Sequence, residues 1–405
     1  MKRIWLTRNL IVLTLVSLAQ DAASELLYPL LPLLITTGVV SAAPIALGII
    51  EGCAEAAAGF TKLWSGKSSD VHGRKRFVTA GYALAGVGKA LVVFGTSWGA
   101  IFAGRVTDRI GKGMRSAPRD ALIGDGVDKK DAGKAFGFHR TGDNIGAVIG
   151  PLLALAGLAL LDNDVREVAK WALIPAILSA FLTLFVRESR SKRAEIQSQR
   201  DKTPISPRLK KVISVLVLIQ LTNIPDALLL LRLYDLGFDA RAVVLIYAGY
   251  SLMTVLAAFP AGHLADKTSP HRVYSIGLIA FATAYITLGL TTHKGIAVLA
   301  LFIYGLFPAL TDGVGKAWIT QLAEPLHRGR AQGVYQASMN FAILGAGIWG
   351  GAMWTSGSVQ TPLVLAGFLA LLGIGAIYFV NSSINPSVAR STISNTSSKA
   401  SSGNE

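Results

Sequence analysis

Arg105-Val-Thr-Asp108-Arg109-Ile-Gly-Lys112-Gly-Met-Arg115-Ser-Ala-Pro-Arg119-Asp120 decides how this sequence is read. Seven charged side chains fall in a stretch whose flanks are apolar and which must itself lie inside a membrane. At about 100° per residue they occupy an arc of roughly 140°, while Val106, Ile110, Met114, Ala117 and Ala121 point the other way. Facing lipid, at about 2.5–3.5 kcal/mol per ionised residue, such a helix could not insert. The arc therefore faces protein or water, and it reads as the lining of a polar, largely cationic cavity. A helix of this kind implies a path for a solute.

Working outward, the chain of 405 residues is 52% hydrophobic and 16% charged, with a mean hydropathy of +0.49. A soluble chain of this length would carry far more surface charge. Apolar stretches of about 20 residues recur, each long enough to cross roughly 30 Å of hydrocarbon. They predict twelve spans, centred near residues 21, 55, 86, 110, 148, 178, 222, 252, 282, 308, 342 and 371, of which the fourth and tenth stand out by their charge. The spans are helices, because a lone strand cannot satisfy its backbone in lipid and no alternating ten-residue pattern appears.

A net charge of +15 raises nucleic acid as a partner, but the placement of the charge excludes it. With the N-terminus inside, 25 of the 39 Lys and Arg fall on cytoplasmic segments, only Arg166, Arg241 and Lys294 on the opposite loops, and the other 11 within spans. That asymmetry places both termini in the cytoplasm and the chain in the inner membrane of the cell. Cys53 stands alone, which leaves no disulfide framework or cysteine metal site. The first 24 residues imitate a signal peptide, yet the apolar run resumes through Leu26–Ile35, so an uncleaved first helix is expected.

The most basic interior stretch, 187–211, divides the spans six and six. At an offset of 196 residues Gly66 and Asp70 map onto Gly262 and Asp266, and Ala135 and Gly137 onto Ala331 and Gly333. Those coincidences argue for duplication. The expected architecture is an all-α membrane protein: twelve transmembrane helices arranged as two six-helix pseudo-repeat bundles around a central cavity. Its parts are an N-terminal bundle over 1–187, a cytoplasmic linker over 188–210, a C-terminal bundle over 211–382 and a disordered tail over 383–405. Alone in the bilayer, the chain is expected to work as a monomer.

Two motifs carry a resemblance. Gly66-Lys-Ser-Ser-Asp70-Val-His-Gly73-Arg74-Lys75-Arg76 joins spans two and three, with Gly66 expected to end the second helix. Gly137, Gly146 and Gly150-Pro151 follow in the fifth span, with small residues at a spacing that brings two helices close. The first resembles the loop signature of the major facilitator superfamily, with Val71 at one usually basic position. The second resembles that superfamily's drug/proton antiporter signature, with Ala154 and Leu155 where two further glycines are usual. Arg105, 20 residues before Asp125, stands where the family places a fourth-span arginine. The whole run around it, with SLAQDAASELLYPLLP and AFGFHRTGDNIGAVIGP, resembles a bacterial subgroup of exporters, some linked to carboxylate siderophores. The resemblance implies the major facilitator fold and a latch role for Asp70 and Arg74.

The residues themselves point to transport with proton coupling. Carboxylates that alternate between a dry site and a cation can load and release a proton; Asp21, Glu25, Asp226 and Asp312 are the candidates. Arg105, Arg109 and Lys112, which suit an anionic group, are with Glu51 and Glu55 on the neighbouring span the substrate-binding candidates; the alternative is that those carboxylates neutralise the stripe. Together these give proton-coupled export of a small organic anion, such as a carboxylate siderophore or metabolite. Multidrug/proton antiport, facilitated uptake of an organic anion and a sensor without flux are the alternatives. No nucleotide loop, zinc motif or His/Cys ligand pair appears, so neither an enzyme nor a cofactor nor a metal is expected.

Overall fold

A computed structural model describes residues 5–128, 131–188, 206–324 and 328–384. The chain crosses twelve times. α1 (Arg8–Leu27) passes through a 3-10 turn at Tyr28–Leu30 into α2 (Leu31–Thr36), and α3 (Pro44–His72), α4 (Arg74–Phe94), α5 (Trp98–Asp125) and α6 (Ala132–Leu160) follow. α7 (Val165–Lys170) and α8 (Leu173–Leu182) share the sixth crossing, and α9 (Pro207–Gln220) and α10 (Asp226–Asp235) the seventh. α11 (Ala240–Lys267), α12 (Pro270–Leu290), the pair α13 (Lys294–Tyr304) and α14 (Leu306–Leu322), α15 (Arg328–Thr355) and α16 (Gln360–Ile384) complete the second six.

Short polar residues start these helices by accepting an otherwise orphaned backbone N–H: Thr7 from Leu10, Ser97 from Ala100, Ser206 from Leu209 and Asp239 from Ala242. The Ser206 cap with Pro207 behind it starts α9 inside the expected linker, and α16 runs to Ile384, just past the expected start of the tail. Most of the linker (189–205) and the tail from 385 lie outside the described residues. Gly66 does not end the second helix: α3 continues to His72, and Gly73, at φ +96°, makes the turn into α4. There Glu188 accepts from the Arg74 and Lys75 backbone N–H groups, at 3.2 and 2.9 Å, and Arg74 pairs with Asp125 at the end of α5. The Asp70 and Asp266 side chains lie outside the described residues.

Among the described residues, eight crossings are long and apolar enough to span a membrane by composition alone, the tenth among them. Of the others, α3, α5 and α15 fall short by their polarity, and the seventh, α9–α10, because its break leaves two helices of 14 and 10 residues. These four face the centre, where protein and not lipid is their solvent. Arg166, Arg241 and Lys294 on the face opposite the N-terminus are each used as helix caps. They donate to the carbonyls of Val93 and Gly95, Leu158, and Gly237, where α4, α6 and α10 end.

On that far face the halves close. Gly48 of α3 and Gly347 of α15 meet backbone to backbone, so a side chain on either would strike the other's main chain. The Ile45 N–H donates to Thr355 Oγ1 at 2.9 Å and the Tyr234 hydroxyl to the Pro29 carbonyl at 3.3 Å. On the near face Gly137 of α6 and Gly262 of α11 look into open space. The cavity between the bundles therefore opens toward the face on which α1 begins.

Gly347→Val should prise the far face open, because overpacking a close contact costs about 1–3 kcal/mol. A reporter Tyr28→Cys, in a chain with Cys53→Ser, should then become reactive to an impermeant thiol reagent from the far side. Continued protection would show that the seal does not depend on this contact.

Candidate functional site

The charged face of α5 is held by its neighbours. Gly81 and Gly88 of α4 lie against Gly111 and Gly104 of α5 with no room for a side chain between them. That approach brings Lys89 onto Asp108 at 2.7 Å. Asp108 also takes Arg105 at 3.4 Å, and Arg105 grips Glu51 of α3 through both Nε and Nη2, each at 2.7 Å. One turn on, Arg109 meets Glu55 at 3.2 Å. Arg115 lies over the Tyr82 ring, 4.4 Å from its centroid, and Arg119 takes Asp120 and the Ser17 hydroxyl, each at 3.0 Å.

The expected single cationic lining is thus split. Arg105, Asp108, Lys89 and Glu51 are at most 5% exposed and satisfy one another inside the first bundle. Arg105 does not reach the central cavity; its two-pronged grip ties α3 to α5. Lys112 does reach it: the side chain is exposed and has no ion pair among the described residues.

Small residues place the first helix's carboxylates as well. Gly146 of α6 lies against Leu18 and Asp21, and Gly150 against Ala22 and Glu25, while α6 runs through Pro151 as one helix. The glycine motif therefore forms the seam beneath both acids. Asp21 has no hydrogen bond or ion pair among the described residues, whereas Glu25 accepts from the Tyr247 hydroxyl of the other half at 2.6 Å. His139, also on α6, is buried between Thr14 and Asp143.

In the second half a broken helix builds the site. Between α9 and α10 the chain unwinds at Leu221–Pro225, and aromatic donors satisfy what it frees. Trp349 Nε1 donates to the Leu221 carbonyl at 2.7 Å and the Tyr285 hydroxyl to that of Ile224 at 3.1 Å. The break sets Asp226 on the first turn of α10, where backbone N–H groups favour negative charge. Its two oxygens accept from Tyr304 at 2.6 Å and Tyr250 at 2.8 Å, and the Tyr304 hydroxyl oxygen lies 3.2 Å from Asn223. Asp312 is exposed one turn before Lys316, without a direct ion pair.

Glu25, Glu55, Arg109 and Lys112 from one bundle thus face Asp226, Tyr247, Tyr250, Tyr304 and Asp312 from the other across a cavity of about 450 Å³. A vestibule of about 610 Å³, with Lys62, Lys112, Asp312, Lys316 and Gln336 on its walls, leads from it to the near face. Reading the sequence missed Lys89, Asn223 and the tyrosines. A lone lysine in an apolar span, and a proline after Asn223 in mid-span, were the available signals.

Because breaking a buried pair strands its partner, Glu51→Ala should cost about 3–5 kcal/mol, while Glu51→Leu with Arg105→Met should recover most of it. Thermal unfolding in detergent measures both. Equal losses in the two variants would show that the pair is not what holds α3 to α5.

The family model described as the Major Facilitator Superfamily matches residues 13–234 and 213–402. An uncharacterised MFS-type transporter of Methanocaldococcus jannaschii is 28% identical over 381 residues, which is 90% of this chain and 95% of that one. A probable 4-methylmuconolactone transporter of Cupriavidus pinatubonensis is 29% identical over 183 residues, covering 44% of this chain and 41% of that one. Among solved structures the nucleoside transporter NupG shares the fold, with a TM-score of 0.76 at 14% identity over 92% of this chain and 99% of that one. A family match through both bundles, on twelve crossings that enclose a polar cavity, places this chain in the major facilitator superfamily, as a multi-pass membrane transporter and not an enzyme.

Proposed function

We propose that this transporter carries out proton-coupled export of a small organic anion, such as a carboxylate siderophore or another acidic metabolite. It does so from the inner membrane, as a monomer with both chain ends in the cytoplasm. Lys112 carries the reading: it is a cation inside the cavity with no ion pair among the described residues, while Arg105 and Arg109 beside it are paired. Tyr247, Tyr250 and Tyr304 line the opposite wall with their hydroxyls on Glu25 and Asp226, and about 450 Å³ suits a small organic molecule. That a relative bears the name of a lactone transporter fits a cargo of this size. The basic near face supports the orientation, and the cavity then opens inward, toward cargo made in the cell.

The proton has two kinds of seat. Asp226 accepts two tyrosine hydroxyls and touches no cation, and Asp312 stands in the vestibule. Asp21 and Glu25 sit on the glycine seam of the first bundle. Export by exchange rests on that seam, through its resemblance to the antiporter signature.

A second reading, uptake of the anion together with a proton, is favoured by the charge around Lys112. Asp21 and Asp312 lack a cation within ion-pair distance, so an anion entering beside Lys112 meets uncompensated carboxylates. A proton on either removes that repulsion, so proton and anion assist each other's binding, which is the sign of symport. Exchange needs the opposite sign.

In proteoliposomes the two differ whatever the orientation of the protein. An acid lumen should drive accumulation of an organic acid if export is by exchange; accumulation with an alkaline lumen would establish symport instead. Lys112→Gln should weaken the anion's apparent affinity on the order of tenfold, about 1.4 kcal/mol, with the fold intact. Preference of the wild type for lipophilic cations would remove Lys112 as a cargo ligand. Asp226→Asn should abolish gradient-driven accumulation and preserve cargo counterflow; loss of neither would move the proton site elsewhere.

A further inference from the structure

Behind Lys112, between α1 and α5, lies a second and much smaller chamber of about 50 Å³. Its walls include Asp21, Tyr28, Arg105, Arg109, Lys112 and Arg115. The volume holds one small ion or a water or two, and is an order of magnitude below that of an organic cargo. Four cations of α5 line it, and three of them have donors left over. Arg115 is 5% exposed, and among the described residues its Nη1 and the buried Arg109 Nε have no hydrogen-bond partner. Lys112 has no ion pair among the described residues. Buried donors left in this state are destabilising, so two of them on side chains that line one chamber, beside an unpaired lysine, point to an acceptor that belongs there.

The charge around the chamber says what kind. Arg105, Arg109, Lys112, Arg115 and Lys89 behind them are opposed by Asp21, Glu25, Asp108, Glu51 and Glu55, five against five. Four of those carboxylates are committed: Glu51, Glu55 and Asp108 to cations and Glu25 to Tyr247. Asp21 is not. It faces Lys112, Arg115 and Arg119 of α5 and Asp143 of α6, while α8, also packed on α1, brings no charge. One anion in the chamber would leave an excess negative charge, and one proton on Asp21 would cancel it.

We infer that this chamber binds one small monovalent anion, a halide or the carboxylate tip of an organic acid, on Arg115, Arg109 and Lys112, and that a proton joins Asp21 as it binds. The site does not require the transported molecule to be an anion. It can therefore fail while the anion-transport reading stands, or hold while that reading falls.

Thermal unfolding of the purified full chain in detergent tests it without cargo or gradient. Chloride and formate are titrated against gluconate, which is too large for the chamber, at constant ionic strength. A ligand that prefers the folded state raises the midpoint saturably. Chloride or formate should do so, with affinity improving on the order of tenfold per unit fall in pH, as uptake of one proton demands. A response to chloride identifies a free ion; a response to formate alone identifies a carboxylate tip. Arg115→Gln and Lys112→Gln should each weaken it at least tenfold, and because Lys112 is exposed its variant carries the test should Arg115→Gln fail to fold. Asp21→Asn should bind with no pH dependence. The proposal is overturned if neither probe exceeds gluconate or if both α5 variants respond as wild type does. A pH dependence that survives in Asp21→Asn overturns its proton half.

Discussion

Everything in this structure depends on how seven charges are kept on one membrane helix. Taken out of water, each ion would cost several kcal/mol, and only close partners offset that. α5 has such partners because glycines on both helices let α4 approach near enough for Lys89 to reach Asp108, while α3 presents Glu51 and Glu55 at successive turns. The chain Lys89–Asp108–Arg105–Glu51 is consumed in making the first bundle rigid. What remains for chemistry is whatever that network leaves over, namely Lys112, Asp21 and the free edge of Arg115.

The two bundles solve the problem of burying polarity differently. The first uses paired ions. The second breaks a helix and satisfies the exposed carbonyls with aromatic donors, so that Asp226 sits among hydroxyls and not beside a cation. A carboxylate held by neutral donors can change charge without stranding a partner ion, whereas Glu51 cannot lose its charge without stranding Arg105. This separates residues able to cycle with protons from those that serve as fixtures.

Much of this was legible in the sequence. Hydropathy gave most of the crossings, since a span must be apolar wherever it meets lipid, and the charged fourth had to be read from its face. The basic asymmetry and the spacing of Gly146 and Gly150 followed from equally local rules. The inward turn of α5 was also readable, because no other face could hold its charge. Helical periodicity gives the direction of a side chain and says nothing of who meets it, so the division of α5 into sealed Arg105 and open Lys112 was hidden. So was the tyrosine wall: Tyr247, Tyr250 and Tyr304 lie in apolar spans, where a ring packed in the core and a ring turned to the cavity read alike. The helix ends failed at Gly66, where a glycine stands inside the helix and the turn is made seven residues later by Gly73.

Coupling requires a group whose surroundings differ between the states of the transporter, because a ligand shifts an equilibrium only by its differential affinity for them. Arg105, Glu51, Asp108 and Lys89 all belong to one bundle and keep their partners however the halves rock. Glu25 does not: its hydroxyl donor, Tyr247, comes from the opposite bundle, and Gly150 beneath it fixes its backbone to α6. Separation of α1 from α11 would leave Glu25 without that donor, facing Arg109 and Lys112 on its own side of the cavity. Asp21, one turn earlier on the same helix, shares the chamber with the same cations. On the proposed reading, a proton or an anion that alters the balance at α1 acts on Glu25, the one carboxylate among the described residues whose hydrogen bond spans the two halves.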